Sequence, residues 1–331
     1  MPITRFFFMM KFILTNIQYF LLCVALCLII PVKTAAEEPR QPVPTTYRFV
    51  ERDSALFLDV YKPDVPRADK AAVITLFGGG FYLGTRDNWH MKEIAQSLTG
   101  RGFTVISIDY RLGLKDSAMV ARNRKVSKLT GLFNWCIDIA VEDCAAAVAW
   151  VCDNAGMLDI DTSRIILTGN SAGAITVLQL DYYRANSQPG ASALPAGWKP
   201  AAVVPYAGGI MCHKRDLKYE TPPAPTLLMH GTEDKIVNYK SFGLPLSSKI
   251  FGARKIDKAM DRQDIPHWFL SYDGKGHEVA SWMPGSVDLF CAFVDQTLDG
   301  HISTLDARID DPTLLPNRWT GMTILQLYGR R

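Results

Sequence analysis

The chain has 331 residues, 48% of them hydrophobic and 21% charged, with a formal net charge of +3. These fractions exclude a disordered, collagenous or fibrous protein and are typical of a globular one. Seven cysteines are too few for a small disulfide-stabilised domain. The length is ample to bury a core, in one large domain or two average ones.

The first 36 residues are predicted to be a signal peptide. Arg5 and Lys11 precede an uncharged apolar stretch at residues 19–30, and the small residues 34–36 occupy the positions that a signal peptidase reads. A transmembrane anchor is the alternative, because the uncharged region extends back to residue 12 and approaches the length that spans a bilayer. We expect export to the periplasm or the extracellular space, or membrane anchoring if the signal is retained.

Removal of residues 1–36 also removes the net charge. This segment has three basic residues and no acidic one, so Lys+Arg falls from 36 to 33 and equals the 33 Asp+Glu. A neutral chain without a basic cluster gives no support to nucleic-acid binding. Export permits one or two disulfides among the five remaining cysteines, and their odd number leaves at least one thiol free. These cysteines are Cys136, Cys144, Cys152, Cys212 and Cys291.

After a Pro-rich polar linker predicted at residues 37–46, the chain alternates between strand and helix patterns. Residues 55–61 alternate apolar and polar side chains, which predicts a strand at an antiparallel edge. Continuous apolar runs rich in Val and Ile are typical of strands buried in a parallel sheet, and they occur at residues 71–77, 103–108, 164–168, 201–204, 226–230 and 268–272. Helices are predicted at residues 89–98, 141–154, 172–184, 239–251 and 287–298.

This alternation predicts one α/β domain, with a mainly parallel central sheet and helices on both faces. We expect the domain to cover residues 47–300, and residues 301–331 to form a C-terminal extension that packs on it or trails from it. Ligands of such sheets bind at the carboxyl ends of the strands. The chemistry is therefore expected where the apolar runs stop.

The run at residues 164–168 ends in Gly-Asn-Ser-Ala-Gly, residues 169–173, before an Ala-rich helix. This is G-x-S-x-G between a strand and a helix, the context that a nucleophile elbow needs. The turn would strain the backbone of Ser171, and the flanking glycines would avoid clashes with strand and helix. A glycine-rich turn with a capping serine is the alternative.

Two later strand ends offer an acid and a base. Glu233 and Asp234 follow the run at residues 226–230, where a carboxylate can accept an imidazole N–H or cap the next helix. His277 lies in a glycine-containing loop after the run at residues 268–272. A serine hydroxyl is a weak nucleophile until a base takes its proton, and that base needs an acid to orient it.

Residues 77–84 read Phe-Gly-Gly-Gly-Phe-Tyr-Leu-Gly and follow another predicted strand. Consecutive glycines let backbone N–H groups approach a developing oxyanion. A phosphate-binding loop is the alternative, but the segment has neither G-x-G-x-x-G nor G-K-[ST]. The mature chain also has no C-x-x-C or His-rich tract, so we expect no metal and no cofactor.

Together these motifs resemble the α/β-hydrolase superfamily, on its carboxylesterase and lipase side, from about residue 55 to residue 298. The parts that look like type-B carboxylesterases are residues 58–63, 77–84, 108–113 and 165–174. Residues 230–237 and 276–278 look more like compact bacterial esterases related to feruloyl and acetylxylan esterases. The chain is much shorter than a type-B enzyme, so the compact esterases are the better match.

The resemblance assigns roles to individual residues. It makes Ser171 the nucleophile, Asp234 the acid and His277 the base, in the chain order that is usual for this superfamily. It also implies an oxyanion hole formed by the backbone N–H groups of Gly79, Gly80 and Ala172. Most relatives have a histidine, which helps to order the glycine loop, at the position of Phe77.

The substrate pocket is the least defined part of the site. Residues 112–139 and 184–200 are long insertions between core elements, and we expect them to form a lid or pocket wall. Phe81 and Tyr82 are the predicted substrate contacts. Further aromatic candidates for the pocket are Trp89, His90, Trp135 and Trp198.

The resulting hypothesis is a secreted serine hydrolase that cleaves carboxylic esters through an acyl-enzyme. Its expected substrates are small-molecule or glycan-linked esters, such as acetyl or feruloyl groups, and it would meet the membrane only during export. A serine peptidase or amidase of the same fold is one alternative. A hydrolase fold that has lost catalysis and serves in binding is the other.

Overall fold

The structure, a computed structural model, describes residues 42–116, 119–120, 126–243, 249–323 and 326–327. The chain divides into the units Met1–Gln41 and Pro42–Arg331, and the first lies outside the described residues together with the predicted signal peptide. Within the described part, no helix combines the length and the apolar character needed to span a membrane.

Strands and helices alternate along the described chain. The strands are β1 (Thr45–Glu51), β2 (Ala55–Tyr61), β3 (Ala72–Leu76), β4 (Thr104–Ile108), β5 (Ile165–Asn170), β6 (Ala202–Tyr206), β7 (Gly209–Cys212), β8 (Thr226–Gly231), β9 (Ser241–Phe242), β10 (Lys249–Gly252), β11 (His267–Tyr272) and β12 (Leu305–Ile309). The helices are α1 (Trp89–Thr99), α2 (Val126–Asp153), α3 (Ala155–Leu158), α4 (Ala172–Ala185), α5 (Ala253–Asp261) and α6 (Val287–Leu298).

Nine strands form the main sheet, in the order β1-β2-β4-β3-β5-β6-β8-β11-β12. The pairs β1–β2 and β2–β4 are antiparallel, and every pair from β4 to β12 is parallel. All residues of β3, β4 and β6 are buried, as expected for strands covered on both faces. The predicted fold class, a mainly parallel sheet with flanking helices, is confirmed.

The predicted edge strand is an interior strand. β2 pairs with β4 on one side and with β1 on the other, so β1 is the edge. β1 includes residues 45–46, which belonged to the predicted linker. Tyr47 and Phe49 of β1 pack against the core, whereas Thr46 and Arg48 are exposed. The sequence analysis missed this strand because it has only this short alternation next to a Pro-rich segment.

The helix predicted at residues 239–251 is wrong. The described residues of this range include β9 and the start of β10, which join β7 in a separate three-stranded antiparallel sheet, and residues 244–248 lie outside the described part. A Cβ atom on Gly252 would lie 1.9 Å from the Asn238 carbonyl oxygen, so glycine permits a close passage there. Helix α5 begins only after this glycine. Pro245 also opposes a helix over the predicted range, because proline lacks the N–H that a helix interior needs.

The C-terminal extension is part of the domain. β12 adds a parallel strand to the edge of the main sheet, with Trp268 opposite Leu305 and Tyr272 opposite Ile309. Beyond it, the side chain of Leu314 is buried in the core. Arg318 and Trp319, which follow Leu314, lie near residues at the carboxyl end of the sheet.

The five described cysteines are free thiols, so none of the disulfides that the sequence permits is present among them. Cys136 and Cys144 both lie on α2, eight residues apart. Eight residues of α-helix span about 12 Å, which is too far for a disulfide. Burial raises the pKa of the Cys136 thiol to about 12, which keeps it protonated and unreactive.

Candidate active site

Ser171 lies in the turn between β5 and α4 and has an unusual backbone conformation, with φ +52° and ψ −116°. Its N–H donates to the Tyr206 carbonyl oxygen at 2.9 Å, and its carbonyl oxygen accepts from the Ile175 N–H at 2.9 Å. A non-glycine residue in such a conformation costs about 1–3 kcal/mol, which the surrounding structure must offset. The strain places the Ser171 hydroxyl at the carboxyl end of the sheet.

Glycines on both sides of Ser171 allow this sharp turn. A Cβ atom on Gly169 would lie 2.6 Å from the Gly173 carbonyl carbon, and one on Gly173 would lie 2.2 Å from the Leu76 carbonyl oxygen. Both contacts are with backbone atoms, which cannot move aside as a flexible side chain can. Helix α4 therefore approaches β3 and β5 closely only because these two positions are glycine.

The structure brings Ser171, His277 and Asp234 into one hydrogen-bonded line. His277 Nε2 lies 2.8 Å from Ser171 Oγ, and His277 Nδ1 lies 2.7 Å from Asp234 Oδ2. His277 begins the short 3-10 segment His277–Ser281 after β11, and Asp234 follows β8, the strand next to β11. Loops after three separate parallel strands thus converge on a geometry suited to proton transfer from serine.

Asp234 is held as a carboxylate. Its Oδ1 accepts hydrogen bonds from the N–H groups of Ile236 at 2.9 Å and Val237 at 3.0 Å. Burial alone would raise the pKa of Asp234, but the imidazoles of His277 and His230 outweigh it and hold the pKa well below its usual range. The carboxylate can therefore orient His277 and stabilise the imidazolium that forms when this base takes a proton.

The sequence analysis overlooked His230. It lies near the end of β8, fully buried, with Nε2 at 2.8 Å from the Val237 carbonyl oxygen and 3.3 Å from Asp234 Oδ2. A histidine inside an apolar strand, four residues before the candidate acid, was the available signal. His230 connects the strand to the loop that carries Asp234, which helps to fix the position of the carboxylate.

The glycine loop after β3 lies directly against the serine turn. A Cβ atom on Gly78 would lie 3.2 Å from the Ser171 Cβ. Gly79 and Gly80 have φ angles of +134° and +62°, and a Cβ on Gly79 would lie 1.9 Å from the Leu83 carbonyl oxygen. Ala172 is the first residue of α4, so its N–H has no acceptor within the helix. This arrangement suits the predicted oxyanion hole at Gly79, Gly80 and Ala172.

An aromatic pair supports the loop at the position where most relatives have histidine. The Phe77 ring stacks on Tyr110 with centroids 4.5 Å apart, and the Tyr110 hydroxyl donates to the Phe77 carbonyl oxygen at 2.7 Å. Both residues are buried. Stacking and a buried hydrogen bond therefore hold the start of the glycine loop without the usual imidazole.

A cavity of about 300 Å³ opens in front of the triad. Its walls come from the glycine loop, the serine turn, the start of α1, the His277 loop and the C-terminal extension. The lining residues among those described are Phe77, Gly78, Gly79, Gly80, Leu83, Gly84, Asn88, Trp89, His90, Met91, Asn170, Ser171, Ile236, His277, Ala280, Ser281, Arg318, Trp319 and Leu327.

The predicted substrate contacts Phe81 and Tyr82 do not line this cavity. Phe81 is buried and has a positive φ of +57°. Its ring meets the Tyr110 ring edge-on, with centroids 6.3 Å apart. Tyr82 is half-buried and packs against the core. In the described residues, these two side chains serve packing beside the site and not its inner surface.

No described residue of the predicted pocket insertions, residues 112–139 and 184–200, lines the cavity. Much of residues 112–139 belongs to the long helix α2, and part of that range lies outside the described residues. Of the other aromatic candidates, Trp89 and His90 line the cavity, whereas Trp135 and Trp198 pack against the core. The C-terminal extension, which the sequence left unassigned, contributes Arg318 and Trp319.

Two polar atoms of the cavity lining have no hydrogen-bond partner within the described residues. They are Asn170 Oδ1 and His90 Nε2, both buried. Burial lowers the pKa of His90, which favours the neutral imidazole. A buried polar atom without a partner is costly, and both of these atoms belong to residues at the cavity wall.

Metal-ligating residue types cluster elsewhere, at Asp257, Asp261 and His267, with one possible ligand atom each within 4.8 Å of the others. His267 already uses both ring nitrogens, with Nε2 at 3.1 Å from Asp257 Oδ1 and Nδ1 at 2.8 Å from the Ile265 carbonyl oxygen. The imidazole therefore has no free nitrogen for a metal, and the cluster is best described as a buried ion pair.

Residues 27–187, just under half of the chain, match the carboxylesterase family. Lipase 2 of Moraxella sp. is 32% identical over 106 residues, which cover 32% of this chain and 20% of that protein. Esterase LipI of Mycobacterium tuberculosis is 30% identical over 146 residues, 41% of this chain and 38% of the relative. The chain thus matches between about a fifth and two fifths of the length of these two curated relatives.

Among solved structures, esterase 2 of Thermogutta terrifontis aligns with a TM-score of 0.55 at 18% sequence identity, covering 80% of this chain and 97% of that one. At this identity the likeness concerns the fold alone. The chain has the α/β-hydrolase fold, as the sequence motifs predicted. The relation to feruloyl and acetylxylan esterases stays a prediction.

Proposed function

We propose that the protein is a serine hydrolase that cleaves carboxylic esters through an acyl-enzyme. The observation that carries this proposal is the hydrogen-bonded line Ser171–His277–Asp234, with strained Ser171 beside a glycine loop at the floor of a cavity. The match of residues 27–187 to the carboxylesterase family and the two curated relatives, a lipase and an esterase, support the ester as the bond cleaved.

In the acylation step, Ser171 Oγ attacks the ester carbonyl carbon while His277 Nε2 takes the hydroxyl proton. The carbonyl oxygen becomes an oxyanion, and we assign its stabilisation to the N–H groups of the predicted oxyanion hole, Gly79, Gly80 and Ala172. Loss of one such donor typically costs about 3 kcal/mol of transition-state stabilisation. The imidazolium then gives its proton to the leaving alcohol, and the C–O bond breaks to leave the acyl-enzyme.

Deacylation repeats these steps with water. His277 takes a proton from water, the resulting hydroxide attacks the acyl carbon, and the proton returns to Ser171 Oγ as the carboxylic acid leaves. Asp234 stays ionised throughout and stabilises the imidazolium in both steps. Apart from the ester and water, these steps use only groups of the chain.

Short acyl groups fit the size of the cavity, about 300 Å³. The esterase 2 of Thermogutta terrifontis has been solved with propionate bound and with butyrate bound. The same enzyme has been solved phosphorylated by paraoxon and phosphonylated by sarin. Small esters and reactive phosphonates are therefore the first reagents to try on this protein.

The test is to label the purified protein with a fluorophosphonate probe and to assay p-nitrophenyl acetate and p-nitrophenyl butyrate. We expect labelling and ester turnover in the wild type and neither in Ser171→Ala, with kcat lower by about 10⁶-fold. Ser281→Ala, which changes another serine of the same cavity, is the matched control. An unlabelled and inactive wild type would leave the protein as a binding fold, and turnover of peptide anilides but not of esters would make it a peptidase.

We also propose export, which rests on the sequence of residues 1–36, and glycan-linked acetyl or feruloyl substrates, which rest on that export and on the resemblance of residues 230–237 and 276–278. To test export, the full chain and a chain lacking residues 1–36 are expressed, and the cell fractions are assayed for the esterase. We expect secretion of the full chain only. Release of acetate or ferulate from acylated xylan, compared with p-nitrophenyl esters at equal enzyme, tests the glycan preference.

A further inference from the structure

The C-terminal segment, residues 310–323, brings a positive charge to the catalytic cavity. Arg318 and its neighbour Trp319 line the same cavity as Ser171 and His277. We propose that Arg318 is the binding site for a carboxylate carried by the ester substrate, apart from the ester group that reacts. This inference rests on the proposed ester hydrolysis and names the class of substrate.

The C-terminal segment is tied to the loop that carries the catalytic histidine. Thr320 Oγ1 donates to Glu278 Oε2 at 2.8 Å, and Glu278 Oε1 accepts from the Gly276 N–H at 2.9 Å. Glu278 is buried and directly follows His277. On the other side of the segment, the Leu314 carbonyl oxygen accepts from the ammonium of Lys275 at 2.8 Å. The segment is thus anchored on both sides of Arg318.

Arg318 lies within a hydrogen-bonded turn. Asn317 Oδ1 accepts from the Trp319 N–H at 2.8 Å, and Thr320 Oγ1 accepts from the Asn317 N–H at 3.0 Å. The Trp319 carbonyl oxygen accepts from the Met322 N–H at 3.1 Å. These bonds order the backbone at the cavity wall, so the position of Arg318 does not depend on its own side chain alone.

The guanidinium of Arg318 is oriented by the neighbouring ring. Its central carbon lies 4.3 Å from the centroid of the Trp319 ring. A cation–π contact at an exposed site contributes about 0.5–1 kcal/mol and leaves the N–H edges of the guanidinium free to bind. Trp319 is itself half-buried against the core, so the pair forms a fixed cationic surface.

Among the residues that the structure describes, no carboxylate balances this charge at the cavity. Among the described residues that line it, none is Asp or Glu, and Arg318 makes no ion pair with any described residue. Glu278, the acid bonded to this segment, has both oxygens engaged by Thr320 and Gly276. An unpaired arginine in a partly enclosed cavity attracts an anion, and its planar fork matches the two oxygens of a carboxylate.

Apolar side chains also line the cavity. Trp89 and Leu83 are exposed there, at 75% and 57% of their surfaces, and Ile236 and Leu327 also line the cavity. The expected substrate is therefore a small ester with a hydrocarbon body and one carboxylate. The carboxylate can belong to the leaving alcohol or to the acyl group, and the experiment distinguishes the two.

The test compares pairs of esters that differ only in charge. For the leaving group, 3-acetoxybenzoate is paired with 3-tolyl acetate; for the acyl group, monomethyl adipate is paired with methyl hexanoate. The ratio of kcat/KM for the charged ester to that for its neutral partner is measured by proton release. In Arg318→Gln we expect this ratio to fall at least about tenfold for one pair, since a charge-assisted hydrogen bond is worth about 1.5–3 kcal/mol.

Arg308→Gln is the matched control, because Arg308 lies on β12, is 74% exposed and faces Asp273. The ratios of Arg308→Gln should equal those of the wild type. The ratios of Arg318→Lys should lie between those of the wild type and Arg318→Gln, because lysine keeps the charge but lacks the planar pair of N–H donors. Added salt should lower the wild-type ratio. Unchanged ratios in Arg318→Gln for both pairs would overturn the proposal.

A binding measurement separates this proposal from the proposed function. Ser171→Ala, which cannot form an acyl-enzyme, is titrated with 3-acetoxybenzoate by calorimetry, alone and combined with Arg318→Gln. Binding that needs Arg318, in a protein whose wild type hydrolyses no ester, would uphold the carboxylate site and refute ester hydrolysis. If the wild type hydrolyses neutral esters and binding does not depend on Arg318, ester hydrolysis is upheld and the carboxylate site is refuted.

Discussion

Three side chains carry the proposed chemistry, and each is positioned by its backbone. Ser171 is held by a strained turn, Asp234 by two N–H groups of its own loop, and His277 by contacts with both of them. None of the three depends on a long, flexible side chain. The reacting atoms are therefore arranged before a substrate arrives, which reduces the cost of organising them during the reaction.

The residue-scale prediction concerns the acid. Asp234→Asn keeps one side-chain oxygen, which can still accept from the Ile236 and Val237 N–H groups, but removes the charge that orients and stabilises His277. We expect kcat for p-nitrophenyl acetate to fall by about 10⁴-fold with the protein still folded. Circular dichroism and ester turnover measure the two effects.

Glu233→Gln is the matched control for this change. Glu233 is the neighbouring carboxylate that the sequence left as an alternative acid, and it is exposed. Its replacement should leave kcat within about twofold of the wild type, because a surface charge away from the reacting atoms contributes little. If Glu233→Gln lost most of its kcat and Asp234→Asn kept it, Glu233 and not Asp234 would be the acid.

At the scale of elements, the site depends on how closely α4 packs on β3 and β5. The Cβ of Gly173→Ala would lie 2.2 Å from the Leu76 carbonyl oxygen, so the helix or the strand must shift. We expect a loss of about 1–3 kcal/mol in the free energy of unfolding, as for other overpacked cores, and a loss of activity from the displaced Ser171. Denaturant unfolding measures the first effect.

Gly156→Ala provides the comparison on another helix. Gly156 lies in α3 with ordinary backbone angles, and a Cβ there would meet no atom within 4 Å. The substitution should raise the free energy of unfolding by about 0.4–1 kcal/mol, because alanine restricts the unfolded chain. If both variants changed stability in the same direction, close packing at Gly173 would not be the explanation.

A second element-scale prediction concerns the buried pair between α5 and β11. Burial would lower the pKa of His267, but its hydrogen bonds to Asp257 and to the Ile265 carbonyl outweigh burial, and with the charge of Asp261 they raise the pKa. A group with a raised folded-state pKa stabilises the fold below its unfolded pKa of about 6.5, and this contribution is lost as pH rises through the folded-state value. The free energy of unfolding of the wild type should therefore exceed that of His267→Gln by more at about pH 5.5 than at about pH 9.

Urea unfolding at the two pH values measures this difference, and His301→Gln serves as the control. His301 is exposed in the loop before β12, so its replacement should give a much smaller change between the two pH values. A stability difference for His267→Gln that is the same at both values would show that the pair contributes by packing and not by charge.

On the scale of the whole molecule, the C-terminal extension contributes both to the sheet and to the cavity. β12 covers the edge of β11, and the C-terminal segment beyond it forms part of the cavity wall. A chain that ends at Asp311 keeps β12 and loses Arg318. We expect it to unfold cooperatively, while its preference for charged over neutral esters disappears.

A chain that ends at Gly300 should behave differently. It exposes the hydrogen-bonding edge of β11, a buried strand whose neighbour is then missing, and such an edge promotes association. We expect aggregation on size-exclusion chromatography and a less cooperative thermal transition than for the chain ending at Asp311. Identical behaviour of the two chains would mean that β12 contributes no stability.

Much of the fold could be predicted because its signals are local. The runs that became β3, β4, β5, β6, β8 and β11 are predominantly apolar without a strict alternation, which is the pattern that burial on both faces requires. The helix predicted at residues 239–251 was wrong because its local signal was weak. Its apolar residues do not follow a helical period strongly, and the pairing of β10 with β7, far away in the chain, decided its conformation.

By itself, the sequence determined the fold class and the residues at the strand ends, because parallel topology brings every strand end to one edge of the sheet. The tertiary structure decided which side chains meet there. His230 beside Asp234, the Phe77–Tyr110 stack and Arg318 at the cavity depend on packing between distant segments. Such contacts leave no local periodicity in the sequence, so the candidate nucleophile could be found from five consecutive residues, whereas the wall of its cavity could not.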